Sequence, residues 1–278
     1  MSNDSTVITS AQNQYVSLAR SLEERKQRQK QRMYRMDGVK LFCEAVSRGI
    51  IPQMVLLKEG SEQAVFAKVE QLYGIEMCDV DCTRLAVAAS VFDKLSEENA
   101  PEGIIAIMRY DDQKHRELDA SQLCTDTDEN VLIMESVRDP QNVGAILRAA
   151  AAFSVDRVIM SRDCADIYNS KAIRASMGAL FSLKIDRVDS VLNTVERLKS
   201  SGRRVFGAAL DYRAQRLGAF EIKCGDCVII GNEGHGIDGA TLGACTDSVY
   251  IPMSDGVESL NAATAAAVLA WEFFGKKL

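Results

Sequence analysis

Histidine is nearly absent from the 278 residues, with only His115 and His235 present. Cys224 and Cys227 form a CxxC and Cys78 and Cys82 a looser pair, but no second tight pair follows at zinc-ribbon spacing. A zinc site is therefore short of ligands, and no metal is expected. The eight cysteines are scattered through a chain too long to need disulfide staples. Cys227 opens the apolar run CVII, where cysteine serves as a small core residue. No run of about eighteen apolar residues occurs, so no segment is expected to span a membrane. The opening MSNDSTVITSAQNQ has neither the basic start nor the apolar core of a secretory signal, which places the chain in the cytoplasm. There is no GK[ST] of a P-loop and no internal repeat.

Apolar residues make up 47% and charged residues 26% of the chain, an ordinary globular balance, and the length suggests two domains. The net charge of −6 is unevenly distributed. Between Arg20 and Arg48 nine cations face four carboxylates, a local net of +5, while the acidic excess lies mainly between Glu59 and Asp128. A basic patch binds phosphates whatever the overall charge, so Arg25, Lys26, Arg28, Lys30 and Arg32 are candidate nucleic-acid contacts. A solvated helix face is the plainer alternative for the same run.

The stretch from Gln14 to about Gly49 reads as helix, since VSLARSLEERKQRQKQ is rich in helix formers and holds neither Gly nor Pro. The strand-like runs QMVLLK and GIIAIM and the helical SEQAVFAKVEQLYG complete a small α/β domain over residues 1–110. Residues 111–128 are polar, without an apolar period, and read as a linker with room for a short helix. From residue 129 to 278, strands and helices alternate: VLIMESV, VGAILRAAAAF, VDRVIMS, SKAIRASMGAL, LKIDRV, SVLNTVERLKSSG, RVFGAAL, CVIIG, VYIPM and a final helix. This pattern predicts a mainly parallel sheet covered on both faces, with ligands bound just beyond the carboxyl ends of its strands.

Three such strand ends carry chemistry-bearing residues. VLIMESV is followed by RDPQNVGAILRAA, in which Asn142 is placed to cap a helix and Arg148 falls in its second turn. CVII is followed by GNEGHGI, where glycines permit close backbone approach and Glu233 adds a carboxylate. Its G-x-x-G-x-G order is not that of a dinucleotide fingerprint. VYIPM is followed by SDGVESLNAATAAAVLAWEFF, with Ser259 as the candidate N-cap and Asn261 just inside the helix. Each loop alone is compatible with a structural turn or cap.

In this order the three loops resemble the motifs of the SpoU (TrmH) branch of the SPOUT methyltransferases: NVGAILR, IIGNEGHGI and IPMSDGVESLNAATAAAVLAWE. The segment KQRQKQRMYRMDGVKLFCEAVSRG resembles the substrate-binding module that precedes many of these enzymes, with Asp37-Gly38 where the module has Glu-Gly. The resemblance implies an α/β domain with a deep trefoil knot, preceded by a small α/β RNA-binding domain like certain ribosomal-protein folds. It implies a homodimer that moves a methyl group from S-adenosylmethionine to a ribose 2′-hydroxyl of structured RNA. A separate front domain favours 23S ribosomal RNA over tRNA; a catalytically silent RNA-binding or assembly factor is the alternative of a different class. Carried over residue by residue, Asn142, Arg148, Glu233 and Asn261 form the catalytic group. Ile230, Gly231, Asn232, Gly234, Ile251, Met253, Ser259 and Leu260 form the donor site. Arginine stays protonated in proteins, so Arg148 is expected to polarise the hydroxyl or a neighbouring phosphate rather than act as a plain base.

Overall fold

The computed structural model describes residues 7–277 apart from 124, 125, 127, 212, 213, 255, 257 and 258. The chain forms two compact units: one runs through Tyr110 and includes Tyr168–Arg174, and the other holds residues 111–167 and 175 onward. Among the described residues, no helix is long and apolar enough to cross a membrane.

The first unit runs α1 (Gln14–Ser21), α2 (Arg25–Gln31), β1 (Met33–Asp37), α3 (Val39–Val46), β2 (Met54–Lys58), α4 (Glu62–Tyr73), β3 (Thr83–Val87), α5 (Ala89–Leu95) and β4 (Ile104–Arg109). Its four-stranded sheet has the order β1-β4-β2-β3, with only β2 and β3 parallel. Val16, Ala19 and Leu22 of the first helical segment and Val91, Phe92 and Leu95 of α5 pack on Met54, Leu56, Ile105 and Ile107 of the sheet. The expected continuous helix over 14–49 is broken twice. Arg32 ends α2 in the left-handed region at φ 53°, and MYRMD then becomes β1, paired along its length with β4. Of those five residues only Tyr34 favours a strand by propensity; the pairing decides it. Within this unit Tyr168 stacks on Tyr110 at 3.9 Å, and Arg174 pairs with Glu97 at 3.3 Å, which holds the 168–174 segment here.

The rest of the chain runs β5 (His115–Leu118), β6 (Val131–Met134), α6 (Pro140–Ala152), β7 (Arg157–Ser161), α7 (Ser170–Ser176), β8 (Lys184–Val188), α8 (Val191–Ser200), β9 (Val205–Ala208), β10 (Gln215–Arg216), β11 (Cys227–Ile230), α9 (Gly239–Ala244), β12 (Asp247–Tyr250) and α10 (Ala262–Phe273). Eight strands form one sheet in the order β10-β12-β9-β11-β6-β7-β8-β5, and every pairing is parallel. The central strands VLIM and CVII are buried throughout, as a sheet covered on both faces requires. Val131, Ile133, Cys227 and Ile229 share one core with Val191, Val195 and Leu198 of α8, and Leu242 and Ala244 of α9 pack against it. Burial pushes the Cys227 thiol up to about 12, in keeping with a core role.

The stretch 111–128, expected as a linker, contributes β5 to the edge of this sheet. Ion pairs reinforce its main-chain pairing with β8. Asp186 of β8 is fully buried and receives Arg116 of β5 through Nε at 2.8 Å and Nη2 at 2.9 Å, and Arg157 Nη1 at 2.6 Å. Glu129 takes Arg157 at 2.7 and 3.0 Å and Lys184 at 2.9 Å. A buried carboxylate left without these partners would be strongly destabilising, so the polar composition of the segment disguised a paired edge strand.

Candidate active site

The three motif loops leave the carboxyl ends of β6, β11 and β12. Strands β6 and β11 are neighbours, and β12 is separated from β11 only by β9. Because all run parallel, the loops emerge at one edge of the sheet, where ligands of such folds bind.

Helix α6 begins three residues earlier than the sequence suggested. Asp139 is its N-cap, accepting from Gln141 N at 2.9 Å, with Pro140 in the first turn, where a missing N–H costs nothing. Asn142 therefore lies inside the first turn, buried, and Arg148 falls in the third turn rather than the second. Helix α10 begins two residues later than expected. Asn261, not Ser259, is the N-cap, its Oδ1 accepting from Ala263 N at 2.9 Å and Thr264 N at 3.4 Å.

These two shifts bring the motifs together. Asn261 Nδ2 donates to Asn142 Oδ1 at 3.0 Å, and Asn142 Nδ2 donates to Glu233 Oε1 at 2.5 Å. One side chain from each loop thus joins a single hydrogen-bonded relay. Arg148 is not part of it. Its side chain is exposed and forms no hydrogen bond or ion pair with any described residue.

The 231–237 loop is closed on itself. Asn232 and Gly236 exchange main-chain hydrogen bonds at 2.9 Å each, and a Cβ at Gly231 would collide with the Gly236 backbone. The Asn232 side chain is committed within this structure, with Oδ1 accepting from Gly234 N at 2.8 Å and His235 N at 3.1 Å, and Nδ2 donating to Ser136 O at 2.8 Å. Between this loop and the segment after β6 lies a cleft of about 300 Å³ lined by Glu135, Ser136, Arg138, His235 and Asp238.

Of the other expected donor residues, Ile230 is buried, Ile251, Met253 and Leu260 are half-buried, and Ser259 is exposed. No main-chain group of residues 251–254 hydrogen-bonds to a described residue. Leu210, two residues beyond β9, is 68% exposed beside them in strand order, and sequence reasoning passed over it. It also passed over Glu135 and Thr241. Glu135 directly follows a buried strand, accepts Asp238 N at 2.8 Å and Thr241 Oγ1 at 2.7 Å, and has its carboxyl pushed up by burial. The rule that ligand-site residues follow the strands points to both Leu210 and Glu135.

In the first unit, Arg25, Lys26, Lys30 and Arg32 are exposed. Arg28 is a correction to the expected basic patch. It is buried, and its Nη1 donates to Leu22 O at 2.9 Å and Glu23 O at 2.7 Å, fastening α2 to the end of α1. Arg35 of the same basic stretch is likewise turned inward, donating to Leu95 O at 2.7 Å and pairing with Glu23 at 3.1 Å.

The fold and the three joined loops define an α/β methyltransferase of the SpoU type, and the comparisons agree. Residues 129–271 match the SpoU rRNA Methylase family, and residues 13–106 match the MRM3-like substrate binding domain. A Bacillus subtilis 23S rRNA (guanosine(2553)-2′-O)-methyltransferase is 30% identical over 96% of this chain and 99% of its own length. A crystal structure of an RNA 2′-O ribose methyltransferase superposes with a TM-score of 0.76 at 27% identity, covering 95% of this chain and 96% of that one. The SpoU methyltransferase of Streptomyces viridochromogenes, solved with AdoMet, shares the fold at a TM-score of 0.76 and 24% identity, over 95% of this chain and 99% of that one. The chain belongs to the SpoU rRNA methylase family and is an RNA methyltransferase.

Proposed function

We propose that the chain transfers a methyl group from S-adenosylmethionine to a ribose 2′-hydroxyl of 23S ribosomal RNA, working as a cytoplasmic homodimer. The observation that carries this reading is the Asn261–Asn142–Glu233 relay, which unites side chains of all three motif loops at one sheet edge. The full-length similarity to a 23S rRNA 2′-O-methyltransferase supports the choice of substrate.

The end of β12 suits a donor held mainly by main-chain groups. No described residue hydrogen-bonds to the main chain of residues 251–254, which offers carbonyls and, except at Pro252, amides, and Ile251, Met253, Leu260 and Leu210 offer apolar surface around them. Ile230, Gly231 and Gly234 would form the opposite side. S-adenosylmethionine, when bound there, supplies a methyl group on an electron-poor sulfur. The protein has to hold a ribose hydroxyl in line with that methyl and draw off its proton. Glu233 and Asn142 orient the ribose. Arg148 polarises the hydroxyl or the phosphate beside it.

Arg148 is exposed and unbonded to the relay, and α10, which packs on α6, leaves Val268 and Trp271 36% and 47% exposed. A second copy of the chain across α6 and α10 accounts for both features, covering the apolar face and placing Arg148 at a subunit boundary. In the first unit, Arg25, Lys26, Lys30 and Arg32 contact RNA phosphates.

The test is incubation with radiolabelled S-adenosylmethionine and unmodified total RNA, followed by mapping of ribose methylation. Label at one 23S nucleotide is expected. Label confined to tRNA overturns the substrate, and donor binding without label on any RNA or intact subunit overturns the reaction.

A further inference from the structure

The relay holds Glu233 from one side only, and the loop that carries Glu233 is exposed from Glu233 to Gly236. Two anchors fix its ends, and both come from the segment that follows β6. At the near end, Ser136 O takes Asn232 Nδ2 at 2.8 Å. At the far end, Glu135 spreads its carboxylate across the start of α9, with Oε2 on Asp238 N at 2.8 Å and Oε1 on Thr241 Oγ1 at 2.7 Å. Glu135 and Thr241 are both buried. Glu233 lies between the two anchors, and its own partner, Asn142, stands on the helix that the same segment leads into.

We infer that Glu135 is a positioning residue for methyl transfer: by pinning the start of α9 to the end of β6 it sets the place of Glu233 opposite Asn142. The inference rests on the reading of Asn142 and Glu233 as a catalytic pair. A buried carboxylate is a costly way to close a loop, because desolvation disfavours its charge. Here both of its oxygens are matched by donors that no apolar side chain could hold. The main-chain amide and the hydroxyl also fix its direction, so the loop cannot slide along the strand end without breaking both bonds.

Glutamine separates the hydrogen bonds from the charge. At position 135 its carbonyl still accepts from Asp238 N, and its amide can donate to Thr241 Oγ1 once the hydroxyl turns to accept. Glu135→Ala removes both bonds. Thr241→Val removes one, and Thr241→Ser keeps it.

The experiment measures kcat, KM for RNA and Kd for S-adenosylmethionine on full-length wild type, Glu135→Ala, Glu135→Gln, Thr241→Val, Thr241→Ser and Glu233→Ala, with circular dichroism to confirm folding. Misplacing a reacting group slightly costs about tenfold to 100-fold in rate. Glu135→Ala is expected to lose kcat in that range, with a smaller loss of donor affinity, since Gly231 and Gly234 share the loop. Thr241→Val should fall between it and wild type, while Glu135→Gln and Thr241→Ser keep most activity. In a Glu233→Ala background, Glu135→Ala should cost little more, because the group it positions is gone. Full kcat in Glu135→Ala overturns the inference, as does a loss that persists undiminished in the Glu233→Ala background. If Glu135→Ala does not fold, the Thr241 pair carries the same test. An inactive wild type, or a fully active Glu233→Ala, instead overturns the underlying reading of the site.

Discussion

Asn142 donates from Nδ2 to Glu233 Oε1 at 2.5 Å, joining two loops that lie 91 residues apart in the chain. The direction of this bond is set elsewhere. Asn261 spends its Oδ1 on the first amides of α10, so only its Nδ2 can face Asn142. Asn142 must then present Oδ1 to Asn261, which leaves its Nδ2 for Glu233. Every donor in the relay points from the N-terminus of α10 toward the carboxylate. With each amide group committed in one direction, the relay gives Glu233 one defined position.

Asn261 thus has two tasks that substitution can separate. Asn261→Ala removes both the cap and the relay, and should lower stability by about 1 kcal/mol as well as activity. Asn261→Ser restores a capping oxygen but has no amide to reach Asn142. Its urea midpoint should return close to wild type while kcat stays low. Equal recovery of stability and activity would show that the residue is only a cap.

Arg148→Ala should lower kcat by about 100-fold or more, the scale of losing a group that stabilises developing charge. Donor affinity measured by calorimetry should stay within about twofold, since the donor is read by other loops. Arg148→Lys should recover little, because an ammonium cannot reproduce the planar fork of a guanidinium. A tight loss of donor binding in Arg148→Ala would place the residue in the donor site instead.

How far the sequence discloses this arrangement depends on the range of each cause. The parallel sheet was legible because runs such as VLIM and CVII have no polar face and alternate with helices. The motif residues were legible as types, but their bonding was not. Asn142 looked like a cap, and Ser259 looked a better cap than Asn261. Asp139 caps α6 and Asn261 caps α10, and only in three dimensions does the capping Asn261 also meet Asn142. Strand β5 and Arg28 failed for a related reason. Both are polar by composition and are structural because of partners far along the chain or around a corner: Asp186 for Arg116, and the Leu22 and Glu23 carbonyls for Arg28.

Stability in acid should report on the ion cluster at β5, β7 and β8. Burial alone would raise the Glu129 carboxyl, but hydrogen bonds from Arg157 and Lys184 outweigh it and bring it down to about 2. A carboxyl lowered on folding stabilises the native state above its unfolded value and loses that contribution as pH falls through its folded value. The contribution of Glu129 should therefore be intact above pH about 4.5 and fade toward pH about 2. Urea midpoints of wild type and Glu129→Gln should differ most near neutral pH and converge in acid. A constant difference across that window would mean that the ion pairs are not what Glu129 contributes.

The basic stretch before β1 divides into two chemistries that a salt titration distinguishes. Arg25, Lys26 and Lys30 are exposed, so replacing them with glutamate should weaken RNA binding without unfolding the unit. Each phosphate contact removed should reduce the slope of log K against log salt by about 0.7 to 0.9, because fewer counterions are released. Arg28→Glu should behave differently. Its guanidinium is buried against the Leu22 and Glu23 carbonyls, so a carboxylate there faces two acceptors in place of the donor they lose. Loss of a buried charged hydrogen bond and the like-signed contact that replaces it should cost about 2 kcal/mol or more, seen as a lower melting temperature. A folded Arg28→Glu with an altered salt slope would return Arg28 to the RNA-binding face, and an unchanged slope in the triple variant would remove the arm from it altogether.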